Sequence, residues 1–287
     1  MKLALGTAQF GMDYGINNKK GKVSQKEAFE ILEKAISEKV GPVDTAFEYG
    51  ESEEVIGAFV KQKGRPLEVV SKLPKCGAGQ ASGFFEKSLE RLGLEKLYGY
   101  LVHDFGSFLR EERIWDEMKS FKEEGKTEKI GFSLYRPVQA EQILEKGIDF
   151  DIVQLPYSIL DQRFSEVLPK LKEQGIEVHA RSVFLQGLVF KDAKELKGFL
   201  AGAKKALEVI GKIAGEIGVP ISALCINFAA LNPGIGKVVV GVDSLKNLEE
   251  NIKAFSYQNK VKGVMPKLLG LGIGDEKIVV PSNWVVE

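Results

Sequence analysis

The chain has 287 residues, with 44% apolar and 28% charged side chains, and its forty basic residues balance forty acidic ones. This is ordinary globular composition, and the neutral balance excludes a partner recruited by bulk charge, such as nucleic acid or an anionic membrane. No apolar run approaches the roughly 20 residues needed to span a bilayer, and MKLALGTAQFG at the start lacks the pattern of a secretory leader.

Short apolar runs alternate with segments of helical period along the chain. The predicted strands are KLALG, GPVDT, LEVVSK, YGYLVHD, TEKIGFS, FDIVQL, IEVHARS and KVVVG. Between them, helical segments such as QKEAFEILEKAISE carry an apolar stripe, here Phe29, Ile31, Leu32 and Ile36, with charges elsewhere. Several helices close on glycine, as in EEGK, EKGI and EQGI. Eight strands at roughly 36 residues per unit predict one (β/α)8 TIM barrel domain over residues 1–287. A doubly wound sheet is the alternative, but no G-x-G-x-x-G follows the first strand. The stretch from Phe184 to about Leu200 is long between strand seven and its helix. The tail after about residue 256 is expected to pack on or over the barrel.

Cys76 and Cys225 stand far apart with no metal-ligand spacing, and two histidines leave a zinc site short of ligands, so no metal is expected. A reduced, cytoplasmic chain is the expectation.

Strand ends carry the chemistry. Asp44 closes an apolar strand, Tyr49 follows five residues later, Lys72 ends LEVVSK and His103 ends YGYLVH. In a barrel these side chains converge on the C-terminal mouth. A free phenol has a pKa of about 10, so a nearby ammonium that lowers it suits Tyr49 to proton delivery. Lys72 is read as that ammonium, Asp44 as its partner, and His103 as a hydrogen-bond donor to a carbonyl oxygen. His179, deeper in IEVHARS, is read as a core histidine.

This order of Asp, Tyr, Lys and His resembles the aldo-keto reductase family, and the resemblance runs from LGTAQFG to VGVDSLKNLEENI. It implies an NAD(P)H-dependent enzyme that reduces an aldehyde or ketone, with Tyr49 as general acid. It also implies a cofactor site formed by Gly6, Thr7, Asp44, Ser133, Gln154, Arg181 and Ser182. The adenosine portion would sit at the eighth unit, on Gly241, Val242, Ser244, Asn247, Glu250 and Asn251. Three positions depart from the family pattern. Leu134 replaces the Asn after the strand-five Ser, and Arg181 replaces the aromatic that stacks on the nicotinamide. Gly241 and Asn247 stand where Lys and Arg grip a 2′-phosphate, with Lys246 nearby as a substitute. NADP is the family default and NAD the alternative.

Phe10, Phe105 and Tyr157 are expected to wall the substrate pocket, with Tyr14 also bordering the mouth, and Arg163 to form a surface salt bridge. LGTAQFGMDYGI and ARSVFLQGL resemble a bacterial branch associated with surface-sugar pathways, which implies a sugar-like carbonyl substrate. The competing reading is a nicotinamide-binding regulatory subunit with little turnover. The sequence does not fix the oligomeric state.

Overall fold

The computed structural model describes residues 1–284 apart from 17, 19 and 66. Each predicted strand forms: β1 Leu3–Gly6, β2 Val43–Asp44, β3 Val69–Leu73, β4 Leu97–Val102, β5 Thr127–Ser133, β6 Ile152–Pro156, β7 Glu177–Arg181 and β8 Lys237–Gly241. They pair in parallel and in sequence order, and β8 closes on β1 with Gly6 beside Gly241. The result is a closed (β/α)8 barrel in one domain.

The outer ring is built of α1 Gln25–Ser37, α2 Ser52–Lys63, α3 Ala78–Leu92, α4 Ile114–Glu123, α5 Pro137–Glu145, α6 Leu168–Glu173, α7 Lys204–Ile217, α8 Ile221–Leu231 and α9 Leu245–Ala254. Their ends follow local chemistry. Ser24 caps α1 by accepting from the Glu27 amide. Gly64, Gly93 and Gly218 take the left-handed conformation after α2, α3 and α7. Pro220 lacks the amide a continuing helix needs, and it separates α7 from α8.

The main core lies between strands and helices, where Phe85, Tyr100, Phe121 and Phe132 are buried. A smaller apolar cluster, Val70, Leu101 and Ile152, is separate from it. The segment after α9 returns against the chain that follows β6. The Ile273 amide donates to the Leu160 carbonyl at 2.8 Å, and Gln162 donates to the Leu268 carbonyl at 2.9 Å. Glu276 joins Arg136 and Arg163, so Arg163 forms its ion pair with the tail as well as with Asp161. Among the described residues no single helix is long and apolar enough to cross a membrane.

Candidate active site

Strand periodicity stacks the polar residues above the small apolar cluster. Lys72 lies two residues beyond Val70, His103 two beyond Leu101, and Gln154 two beyond Ile152, so each pair shares a strand face. The apolar three fill the barrel, and the polar three stand one layer nearer the C-terminal mouth.

Asp44, at the end of β2, organises this layer. Both its oxygens lie 2.9 Å from Lys72 Nζ, which also donates to the Thr45 carbonyl at 2.6 Å. Gln154 Nε2 donates to Asp44 Oδ1 at 2.6 Å. Lys72 is fully buried, so its charge needs these partners to persist. Burial pulls the ammonium below its ordinary pKa, and Asp44 opposes that pull.

Tyr49 lies in the loop after β2. Lys72 Nζ is 4.9 Å from the centre of its ring, and the His103 ring meets it edge to face at 6.0 Å. Burial pushes the phenol well above its ordinary pKa, the Asp44 carboxylate adds to the rise, and Arg181 works against it. The expected lowering by Lys72 is therefore overturned. The ammonium is committed to Asp44 and Thr45, and the net shift is upward, so the phenol holds its proton at neutral pH. Burial also lowers the His103 pKa, with Glu48 opposing, which favours a neutral ring. Its Nδ1 lies 2.9 Å from a Glu48 oxygen, close but poorly aligned for a hydrogen bond.

A cavity of about 570 Å³ opens at the mouth and runs from Tyr49 and His103 across β1 to α9. That volume falls in the range of small-molecule sites, about 300–1,000 Å³. Gly6, Thr7, Asp44, Tyr49, His103, Gln154, Arg181, Ser182, Gly241, Asn247, Glu250 and Asn251 all line it. So do Gln9, Tyr14, Tyr135, Phe184, Gln186, Phe190 and Asp243. Gln9 Oε1 is buried without a hydrogen-bond partner, an acceptor left for a ligand. A Cβ at Gly241 would meet the end of the Gln9 side chain at 2.8 Å, so a larger residue there would have to displace Gln9. This amide-rich wall fits a nicotinamide dinucleotide. Among the described residues no group of His, Cys, Asp or Glu is arranged to hold a metal.

Several expected site residues lie elsewhere. Phe10, Phe105 and Tyr157 do not wall the cavity. All three are buried in the core; Tyr157 stacks on Phe228 and its hydroxyl accepts from Asn232. Ser133 and Val242 are buried at their strand ends and are absent from the lining. Ser244 caps α9. Lys72 is absent from the lining and bonds to Asp44, which lines it. His179 is fully buried with Glu177 2.7 Å away.

Arg181 lines the cavity with its guanidinium 4.1 Å from the centre of the Tyr135 ring. It also donates to the Leu134 carbonyl at 3.0 Å and to Ser182 Oγ at 3.2 Å. Sequence reasoning passed over Tyr135 and Asp243. Tyr135 stands two residues beyond Ser133 at the end of β5. Asp243 lies between Gly241 and Asn247 in a stretch already singled out.

The model of the Aldo/keto reductase family matches residues 2–268. An uncharacterised oxidoreductase of Bacillus subtilis, YqkF, is 24% identical over 88% of this chain and 90% of its own length. L-galactose dehydrogenase of Arabidopsis thaliana is 27% identical over 82% of this chain and 79% of its own. In structure, the holo form of the aldo-keto reductase AKR11C1 from Bacillus halodurans superposes with a TM-score of 0.77 at 18% identity, covering 96% of this chain and 94% of that one.

Proposed function

Because this chain belongs to the aldo/keto reductase family, we propose that it interconverts a small carbonyl compound and its alcohol, with Tyr49 as the proton-transferring group. A nicotinamide dinucleotide, when bound, supplies or accepts the hydride. The observation that carries the reading is the buried Asp44–Lys72 pair set beneath Tyr49 and His103 at the floor of the cavity.

The roles follow from the environments. Tyr49 holds its proton at neutral pH, which is the state a general acid needs before reduction. As a carbonyl oxygen gains negative charge, the Arg181 guanidinium favours proton release from the phenol, with the Lys72 ammonium beneath the ring. Asp44 keeps that ammonium charged and in place. His103 lies beside Tyr49 with its ring bordering the cavity, where it orients the same oxygen. Gln154 and Gln9 are the amides proposed to meet the nicotinamide portion and its neighbours.

The polar rim supports a hydroxylated, sugar-like substrate. Tyr14, Asn18 and Gln186 border the opening, and a relative carries the name L-galactose dehydrogenase. NADP is the family's usual cofactor, and NAD competes with it here because, among the described residues, no lysine or arginine lines the adenosine end.

Tyr49→Phe tests the assignment. The ring keeps its packing, so reduced cofactor should bind as in the wild type. Turnover of an aldehyde panel, followed by absorbance of the reduced nicotinamide, should fall by about 10²- to 10⁴-fold. Turnover at the wild-type rate would remove Tyr49 from the mechanism.

A further inference from the structure

We propose that the carboxylate of Asp243 selects NAD(H) over NADP(H), by accepting the adenosine ribose hydroxyls and repelling a 2′-phosphate. This inference rests on the reading of the cavity as a nicotinamide dinucleotide site, and it concerns the end remote from Tyr49.

The charges at that end are lopsided. Asp243 and Glu250 both line the cavity there, beside Asn247 and Asn251. Among the described residues, Arg181 is the one lysine or arginine in the whole lining. It is held at the end of β7 by the Leu134 carbonyl and the Tyr135 ring. Lys246 is the remaining cation to weigh. Its side chain is 82% exposed, it is absent from the lining, and it stands 3.8 Å from Glu250. A phosphate placed here would meet two carboxylates and no lining cation.

Asp243 is also held in position. Its Oδ1 accepts from the Asn247 side-chain amide and, at 3.1 Å, from Ser244 Oγ. Ser244 in turn caps α9 by accepting from the Asn247 amide at 3.3 Å. Ser244 and Asn247 are thus occupied as Asp243's donors. Its second oxygen, Oδ2, has no hydrogen-bond partner among the described residues, although the side chain lines the cavity. A fixed carboxylate with one free oxygen suits a vicinal diol, which offers two donors. It opposes a phosphate, which offers only acceptors and negative charge. An acidic side chain serves the same discrimination on the unrelated dinucleotide-binding sheet fold.

Calorimetric titration of the full chain at fixed ionic strength decides it, using four ligands: NADH, NADPH, ADP-ribose and ADP-ribose 2′-phosphate. Wild type should bind NADH about tenfold or more tightly than NADPH. The ADP-ribose pair should show a similar ratio, which keeps the nicotinamide end out of the comparison. Asp243→Asn preserves the Oδ1 acceptor and removes the charge, so the ratio should move toward one, mainly through tighter NADPH. Glu250→Gln should move it the same way by less. Equal or tighter NADPH binding to the wild type overturns the inference, as does a ratio unchanged in Asp243→Asn. Selective loss of NADPH binding in Lys246→Ala overturns it too, because the phosphate then has a cationic anchor. If none of the four ligands binds, the nicotinamide reading itself fails, a separate and recognisable outcome.

Discussion

A guanidinium that borders the same cavity as Tyr49 needs a partner, and Arg181 finds one in an aromatic face. Its stack on Tyr135 and its bond to the Leu134 carbonyl fix a positive charge at the end of β7. Of the cations around Tyr49, it is the one that counters the upward push on the phenol. An oxidised nicotinamide ring is positive and the reduced ring is neutral. We therefore predict that Arg181→Tyr binds the oxidised cofactor more tightly relative to the reduced one, by several-fold, about 1 kcal/mol. Dissociation constants for both forms check this, and an unchanged ratio would show that Arg181 does not sense the nicotinamide. Asp44, Tyr49, Lys72 and His103 were legible chiefly through their order, which resembles the aldo-keto reductase family, and three of them also because strand ends in a barrel share one mouth. The direction of the Tyr49 shift was not, because it depends on burial, which chain order does not reveal. Phe10, Phe105 and Tyr157 were misplaced for a related reason. A loop aromatic gains more from turning inward, where it buries about 150–250 Å², than from lining a wet pocket.

At the scale of elements, the loop that carries Tyr49 is fixed by backbone proximity. It lies against the one-turn helix Ala8–Gly11 that follows β1, and a Cβ on Gly11 would fall 1.8 Å from the Tyr49 carbonyl oxygen. Gly50 completes the fit from the other side, with φ of 56° and the Gly11 carbonyl close by. Ser52 then locks the start of α2 to β1 through a 2.9 Å bond to the Thr7 carbonyl. We predict that Gly11→Ala forces the Tyr49 loop outward, at a stability cost on the order of 2 kcal/mol and with at least a tenfold fall in kcat. Thermal unfolding and steady-state rates on one preparation test it. Wild-type values for both would mean that the loop yields freely. The eight strands were readable as apolar runs, including β2, which is only two residues long. The tail is expected to pack on or over the barrel, but its anchors were not readable, since Glu276 on Arg136 and Arg163 joins residues more than 100 positions apart.

The whole barrel carries one polar layer at each end, and the two layers differ in kind. The upper layer lines the cavity. The lower one closes on itself at the starts of β4, β5 and β7: Tyr98 and Lys129 both donate to Glu177, which also meets His179. Lys129 additionally donates to the Tyr98 hydroxyl at 2.7 Å and lies over its ring. None of these residues lines the cavity. Polar side chains at the N-terminal end of a barrel serve stability, whereas those at the C-terminal end serve chemistry. Burial alone would raise the Glu177 pKa, but its bonds with His179, Lys129 and Tyr98 outweigh that and hold it well below the usual carboxylate range. A carboxyl depressed in the folded state binds fewer protons there than in the unfolded chain. Its contribution is therefore complete above the unfolded value, about 4.3, and is lost as the pH falls below it. We predict that Glu177→Gln lowers stability at pH 7 by on the order of 2 kcal/mol and leaves kcat of the folded enzyme unchanged. The difference from wild type should shrink as the pH falls from 5 toward 3, because the unfolded wild-type chain then takes up a proton on Glu177 that the folded state does not bind. Urea midpoints at pH 7 and pH 3.5, with turnover at pH 7, carry the test. Parallel losses at both pH values would assign the acid sensitivity to other carboxylates, and a fall in kcat would mean that the two ends of the barrel are coupled.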